Sequence, residues 1–279
     1  MAVIEKNSEP LVSAVSLGGT RGGPDKSTLR KDLWWLNPAM VYFGLLGFVL
    51  YGVWAAFRDG NYYAGAQLGR DYISPFYSPC ITNSCPVHTF GWDLVFWKIS
   101  PALLILIFPM GFRLSCYYYR KAYYRSFWLS PPACAVADNH RSYSGETKFP
   151  LILNNIHRYF WYFALIFAGI LTYDAVLAFR FPNSSHGVSI GMGLGTLVLV
   201  INAVLIWIYT ISCHSCRHLC GGQVDQFSKH KIRHKLWSLI TPLNRHHQLF
   251  AWLSLFWVAF TDFYIWLVAS GHITDPRFF

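Results

Sequence analysis

Charged residues are scarce in this chain of 279 residues: they make up 13% of it, against 54% hydrophobic and 18% aromatic residues. Because soluble domains carry about 25% charged residues, this composition excludes an ordinary soluble domain and indicates a protein that crosses the membrane several times. The first 37 residues also lack an apolar run of signal-peptide length. We therefore expect residues 1–37 to form a cytoplasmic tail rather than a cleaved signal.

Acidic residues are few, with 13 Asp and Glu against 23 Lys and Arg, which gives a net charge of +10. Such an excess can indicate nucleic-acid binding, but here its distribution follows membrane topology. With the N-terminus inside, 18 of the 23 Lys and Arg fall on the cytoplasmic side and 5 fall outside. By the positive-inside rule, this split predicts a cytoplasmic N-terminus and an external C-terminus. It also predicts no nucleic-acid partner and a basic inner face suited to anionic lipid or an acidic protein.

Long apolar runs are abundant, and about 20 apolar residues are enough to cross the hydrocarbon layer. The sequence contains five of them, so we predict an all-α membrane protein in which residues 38–279 form a five-helix transmembrane bundle in the cell membrane. The predicted spans are residues 39–57, 94–112, 159–179, 188–211 and 249–268.

Cysteine is sparse, with seven residues in two settings. Cys80 and Cys85 lie in the long outer loop, where we expect them to form a disulfide in an oxidising compartment. The other five lie beside cytoplasmic ends of helices, and three of them fall within the stretch Cys213-His214-Ser215-Cys216-Arg217-His218-Leu219-Cys220. Thiolate and imidazole are ligands of zinc, copper, iron and iron–sulfur clusters, so this density predicts a metal site, although a buried Cys can also be simple packing.

One helix cannot wrap all of these groups around a single centre. At about 100° per residue, His214 and His218 share one face, whereas the three thiols share another. Other segments must therefore complete the site, and Cys116 and Cys134 are candidates because they lie at the same membrane level.

The outer side of the protein lacks paired histidines, which excludes a dihaem cytochrome b with one haem near each surface. The inner side carries several, so a single redox centre there is the better interpretation. One alternative is a Rieske-type [2Fe-2S] cluster, with His214 and His218 on one iron and two thiols among Cys116, Cys134 and Cys213 on the other. The second is a single b-type haem held by two of His157, His214, His218 and His246. Zinc is possible but has less reason to sit in a membrane bundle.

Two acids, Asp174 and Asp262, lie in otherwise apolar spans, where a carboxyl is by default a functional candidate. Asp262 and the nearby Tyr264 could bind or protonate a quinone, and Arg113, Arg158 and Arg217 could bind quinone oxygens. The alternatives are a protonated acid bonded to a neighbouring helix, and arginines that serve topology alone.

Four segments of the sequence resemble the membrane-anchor subunit of actinobacterial succinate dehydrogenase, in particular the five-helix mycobacterial type associated with a Rieske-type cluster. They are Phe112-Arg113-Leu114-Ser115-Cys116-Tyr117-Tyr118-Tyr119-Arg120-Lys121, Asn155-Ile156-His157-Arg158-Tyr159, Cys213-His214-Ser215-Cys216-Arg217-His218-Leu219 and Asp262-Phe263-Tyr264.

The resemblance covers most of residues 37–279. It implies a subunit that docks a flavoprotein and an iron–sulfur subunit on its cytoplasmic face and passes the electrons of succinate to membrane quinone, either menaquinone or ubiquinone. The paired Cys-x-His and Cys-x-x-His loops of soluble Rieske proteins are missing, so the choice of ligands stays open.

Other function classes fit less well. A single-haem cytochrome b subunit of another quinone-linked oxidoreductase is the alternative. A stand-alone ferric reductase would show deep His pairs on two helices, and a transporter would show an inverted repeat. Neither feature is present in the sequence.

Overall fold

The structure is a computed structural model that describes residues 30–65, 71–81, 100–137, 147–149, 151–183, 187–222 and 224–279. Its α-helices are α1 (Leu36–Arg58), α2 (Pro101–Ile105), α3 (Ile107–Ser115), α4 (Tyr117–Ser126), α5 (His157–Leu177), α6 (Leu194–Ile211), α7 (His214–Arg217), α8 (Lys231–Arg245) and α9 (His247–Ala269). Two strands, β1 (Arg180–Asn183) and β2 (Gly187–Ile190), form an antiparallel hairpin. Shorter helical turns cover Leu151–Ile156, His218–Gly222 and Phe227–Lys229.

Four helices in the described part of the chain, α1, α5, α6 and α9, are long and apolar enough to cross a membrane. The helices Pro101–Ser115 and Tyr117–Ser126 pass the same test only together, as a pair bent by 76°, and counting this pair as one span gives five. The predicted five-helix membrane bundle is therefore confirmed. The helix α1 shows why the surrounding medium must be apolar, because Phe43 and Phe57 are about 70% exposed on its outer surface.

The second span differs from the predicted 94–112 segment. Residues 82–99 lie outside the described part of the chain, and the helix continues past Phe112 to Ser115. Cys116 is extended (φ −65°, ψ 134°), and the chain turns by 76° into α4. The sequence of α4 is rich in Tyr, Arg and Lys, residues that favour the membrane–water interface. The helix therefore leaves the apolar slab at this point.

The fourth span starts later than predicted. Residues 188–190 belong to β2, which pairs with β1, and the helix α6 begins only at Leu194. Gly191 and Gly193 separate the strand from the helix, and glycine has a low helix propensity. The C-terminal segment returns to the same end, where Gly193 pairs with Arg277.

Residues 71–81 of the outer loop cover the outer end of the bundle. Tyr72, Phe76 and Tyr77 are buried, so these rings pack against the bundle. Cys80 is in a disulfide, as predicted, whereas Cys85 lies outside the described residues. The Ser78 hydroxyl bonds to the buried Asp174 on α5, which ties the loop to the bundle.

Candidate redox centre

Two cysteines mark the breaks at the inner ends of the second and fourth spans. Cys116 separates α3 from α4, and Cys213 separates α6 from α7. Both have extended backbones at the N-cap of the following helix, and both thiols are completely buried. The backbone N–H of Ser215 donates to the Cys213 Sγ at 3.4 Å. Amides at a helix N-terminus favour a thiolate, so these positions suit metal ligation.

Two histidines begin the spans that face these cysteines. His157 is the first residue of α5 and His247 is the first residue of α9, and both are buried. The His157 Nε2 lies 3.2 Å from the Cys213 Sγ, and the His247 Nε2 lies 3.6 Å from the Cys116 Sγ. Four soft or borderline donors from four different segments are thus gathered at the inner end of the bundle.

Aromatic packing holds both imidazole rings. The Phe112 ring stacks on His157 with centroids 4.9 Å apart, and the His214 ring also stacks on His157, at 5.3 Å. The Tyr209 ring stacks on His247 at 5.0 Å. Ring rotation is therefore restricted, and each Nε2 stays directed at its thiol.

The structure brings some of the predicted metal ligands together and leaves others apart. Cys116 and Cys213 are central, and His214 contributes to a group with His157 and Cys213 whose donor atoms lie within 4.8 Å of one another. His214 is nevertheless solvent-exposed.

Two predicted ligands lie away from this group. Cys134 is exposed, and its carbonyl accepts a hydrogen bond from Arg30. The His218 Nδ1 lies 2.8 Å from Arg158, because the helical turn at His218–Gly222 carries this side chain out of line with His214.

The haem candidate His246 is also outside the site. Its side chain is exposed, and its Nδ1 lies 3.1 Å from the Pro242 carbonyl.

The donor set Cys116, Cys213, His157 and His247 fits a metal centre. Two thiols and two imidazoles match the ligands of zinc or of a [2Fe-2S] cluster of the Rieske type. Burial raises the pKa of the Cys213 thiol to about 12. In the metal-free chain this thiol therefore keeps its proton at neutral pH, and metal binding must release it.

A cavity lies next to the centre, between α1, α3, α5, α6 and α9. Its walls are mostly apolar, and its inner end is lined by Arg113, Tyr209 and Thr210. The Thr210 hydroxyl is buried and makes no hydrogen bond in the described part of the chain. The buried Tyr209 hydroxyl lies beside the Cys116 thiol. Buried polar groups are normally satisfied, so the Thr210 hydroxyl indicates a place for a polar ligand.

Arg113 is 9% exposed and has no carboxylate partner among the described residues. Its guanidinium donates to the Tyr119 hydroxyl at 2.9 Å, to the Ala251 carbonyl and to Ser254. It also lies 4.8 Å from the centre of the Tyr209 ring. An unpaired positive charge is thus held at the inner end of the cavity.

The other predicted quinone residues lie elsewhere. Arg158 contacts His218, and Arg217 bonds to Thr241 and stacks on Trp237 at the inner surface. At the outer end, Asp262 pairs with Arg58 at 2.8 Å, and the Tyr264 hydroxyl donates to Asp275 at 2.6 Å. These contacts give Asp262 and Tyr264 structural partners, and along the helix axis the two residues lie about 22 Å and about 26 Å from His247, given the rise of about 1.5 Å per helical residue.

Sequence reasoning missed His247, although the sequence holds a signal for it. The ends of spans two and four share the pattern Leu/Ile-Ser-Cys, at Leu114-Ser115-Cys116 and Ile211-Ser212-Cys213. The starts of spans three and five share Asn-x-x-His-x-x-Phe, at residues 154–160 and 244–250. Comparing spans two and three with spans four and five would have selected both His157 and His247.

Comparisons with known proteins agree with this architecture. A family model described as the actinobacterial succinate dehydrogenase subunit SdhC matches residues 36–271. A chain of the solved Mycobacterium smegmatis Sdh1 complex in the apo form is similar with a TM-score of 0.82 and 47% identity, over 92% of this chain and 98% of that chain. A search of curated proteins found no match. The protein described here therefore belongs to the actinobacterial SdhC family, the multi-pass membrane subunits of succinate dehydrogenase.

Proposed function

We propose that this subunit passes electrons from a docked iron–sulfur subunit to membrane quinone through a Rieske-type [2Fe-2S] centre held by Cys116, Cys213, His157 and His247. The observation that supports this proposal is the pair of buried thiols that each face a buried imidazole, at 3.2 Å and 3.6 Å. A [2Fe-2S] centre with two Cys and two His ligands accepts and donates one electron at a time, at a potential of about −150 to +300 mV.

The positions of the thiols favour such a centre over a b-type haem. Haem iron binds an imidazole in the plane of the ring, so a haem needs open space beyond the ligating nitrogen. Here the Nε2 atoms of His157 and His247 lie 3.2 Å and 3.6 Å from the sulfurs of Cys213 and Cys116. A haem could bind both histidines only if the two thiols moved away.

The central cavity supports quinone as the electron acceptor. Its apolar walls suit a quinone ring and tail, and ligand sites typically combine such walls with a few polar groups. Arg113 and the Thr210 hydroxyl, which has no partner among the described residues, can donate hydrogen bonds to a quinone oxygen. Tyr209 also stacks on His247, so the polar end of the cavity lies directly beside the proposed centre.

The inner face supports docking of the soluble subunits, a flavoprotein and an iron–sulfur protein. A wide polar cavity opens there over His157, and the described residues that line it include Arg120, Arg158, His214 and His218 but no Asp or Glu. A basic recess above the centre suits an acidic partner surface. Electrons that arrive from the partner would then meet His157 and Cys213 first.

The histidine ligands can be tested in the purified succinate dehydrogenase complex that contains this chain. We expect the double variant His157→Ala, His247→Ala to lose the Rieske-type EPR signal and quinone reduction, while dye-coupled succinate oxidation persists. The matched control is His214→Ala, His218→Ala, which removes two neighbouring imidazoles and should keep the signal.

Three results would contradict the proposal. They are retention of the signal in the first variant, a haem absorption band that disappears with it, and zinc in place of iron in metal analysis.

A further inference from the structure

Each proposed histidine ligand is bonded, through its second ring nitrogen, to a serine that directly precedes one of the cysteine ligands. The Ser115 Oγ lies 2.9 Å from the His157 Nδ1, and the Ser212 Oγ lies 2.7 Å from the His247 Nδ1. The connection is crosswise. Ser115 precedes Cys116 but holds the histidine that faces Cys213, and Ser212 precedes Cys213 but holds the histidine that faces Cys116.

The proton of each serine hydroxyl is already used. Ser115 donates to the Gly111 carbonyl at 2.6 Å, and Ser212 donates to the Tyr209 carbonyl at 3.0 Å. A hydroxyl has a single O–H donor. Each serine oxygen must therefore accept from Nδ1–H of its histidine, which leaves both Nε2 atoms without a proton and directed at the thiols.

We infer that Ser115 and Ser212 are positioning residues that fix Nε2 as the metal-binding nitrogen and set the electron-donating strength of both imidazoles. This inference rests on the proposed function. A hydrogen bond from the second nitrogen of a ligand histidine raises its basicity. A more basic imidazole stabilises oxidised iron, so both serines hold the midpoint potential of the centre below the value it has without them.

The crosswise contacts also interlock the two halves of the site. Each Ser-Cys junction supplies one thiol and orients the imidazole that faces the other thiol. Ser212 has no exposed surface, so water cannot freely replace its hydroxyl, whereas Ser115 is 7% exposed and lines the cavity that opens over His157. Removal of either serine should therefore disturb the whole centre.

The test uses Ser115→Ala, Ser212→Ala and the double variant in the purified complex, with EPR-monitored redox titration as the main readout. We expect the midpoint potential to rise in each single variant and to rise further in the double variant. Iron retention or quinone reduction should fall about 10- to 100-fold, the usual effect of losing an outer partner of a ligand histidine. Threonine at either position retains a hydroxyl and should bring the potential back towards that of the unmodified protein.

The matched control is Ser270→Ala at the outer end. Ser270 likewise bonds to a helix carbonyl, of Trp266, and to a histidine Nδ1, of His272, but it is far from the centre. Its replacement should leave the potential unchanged.

An EPR signal that depends on His157 and His247 but keeps its potential in both alanine variants would overturn the inference and leave the proposed function standing. A signal that does not depend on those histidines would overturn the proposed function first. If an alanine variant fails to assemble, the threonine variant decides. If the threonine variant assembles with the midpoint potential of the unmodified protein, the proposed role of the hydroxyl is supported. If that variant loses the cluster although it retains a hydroxyl, the inference is contradicted.

Discussion

At the residue scale, Asp262 is a fully buried acid for which the sequence suggests a quinone proton donor, a role that stays a prediction. In the structure its carboxylate has no exposed surface and bonds to Arg58, Tyr51 and Ser74. Removing one partner of a buried ion pair typically costs about 3–5 kcal/mol, because the other charge is left unpaired. We therefore expect Asp262→Asn to lower the free energy of unfolding of the detergent-solubilised subunit by about 3–5 kcal/mol.

A second substitution separates this ion pair from a catalytic role. The double variant Arg58→Gln, Asp262→Asn removes both charges and should be more stable than Asp262→Asn alone. The exposed pair of Arg30 and Asp32 provides the control, since Asp32→Asn should have a much smaller effect. Unchanged stability of Asp262→Asn, together with slowed quinone reduction, would restore the quinone hypothesis.

At the residue scale, the types of ligand at the site, thiols and imidazoles, could be predicted better than the individual residues that form it. Clustering along the sequence selected Cys213, His214 and His218, which are close in the chain. The group in the structure instead joins residues up to 131 positions apart, such as Cys116 and His247. Sequence spacing cannot reveal which of two adjacent histidines, His246 or His247, turns inward. That choice depends on where the helix α9 begins.

At the scale of elements, hydrophobic length predicted the number of spans but not their breaks. A run of apolar residues has the same composition whether it is helix or strand, so residues 188–190 were included in a span although they pair in a hairpin. No proline or glycine beside Cys116 indicates in the sequence that the helix bends there. The bend arises where apolar sequence gives way to the Tyr- and Arg-rich sequence of α4, a composition that favours the membrane–water interface.

The helix α8 is the element whose surface most directly concerns docking. The side of α8 that faces the rest of the protein is held in place, because Arg233 donates to the carbonyls of Cys220 and Leu219. Lys229, Lys231 and Lys235 are exposed. We expect reversal of these three lysines to glutamate to release the soluble subunits from the membrane while this protein stays inserted. Quinone reduction should then fall, and dye-coupled succinate oxidation should persist in the released fraction.

Arg233 needs separate treatment in that experiment. Its replacement removes two hydrogen bonds to the segment that follows Cys213, so it tests local structure rather than docking. A suitable control is charge reversal at the outer Arg180, which is 54% exposed and far from the inner face. Normal quinone reduction after reversal of all three lysines would show that docking does not depend on this surface.

At the scale of the whole molecule, the two ends of the bundle carry different sets of polar groups. The inner end gathers the thiols, the imidazoles and the unpaired Arg113, whereas the outer end is closed by residues 71–81, the hairpin and the C-terminal segment. The unpaired polar groups beside the centre thus lie at the inner end of the bundle. The ion pair of Arg58 and Asp262 lies at its outer end. This polarity agrees with electrons that enter from the basic cytoplasmic face.

Membrane orientation follows from the same polarity and can be tested with a native residue. Eighteen of the 23 basic residues are assigned to the inner side, and moving that many charges outside is opposed by the positive-inside rule. Cys134 is exposed at the inner end, so a membrane-impermeant maleimide should label it only after the cells are permeabilised. A Cys introduced at Arg277 on the outer side, in a variant with Cys134→Ser, should be labelled in intact cells. Labelling of Cys134 in intact cells would reverse the orientation and, with it, the face on which the soluble subunits dock.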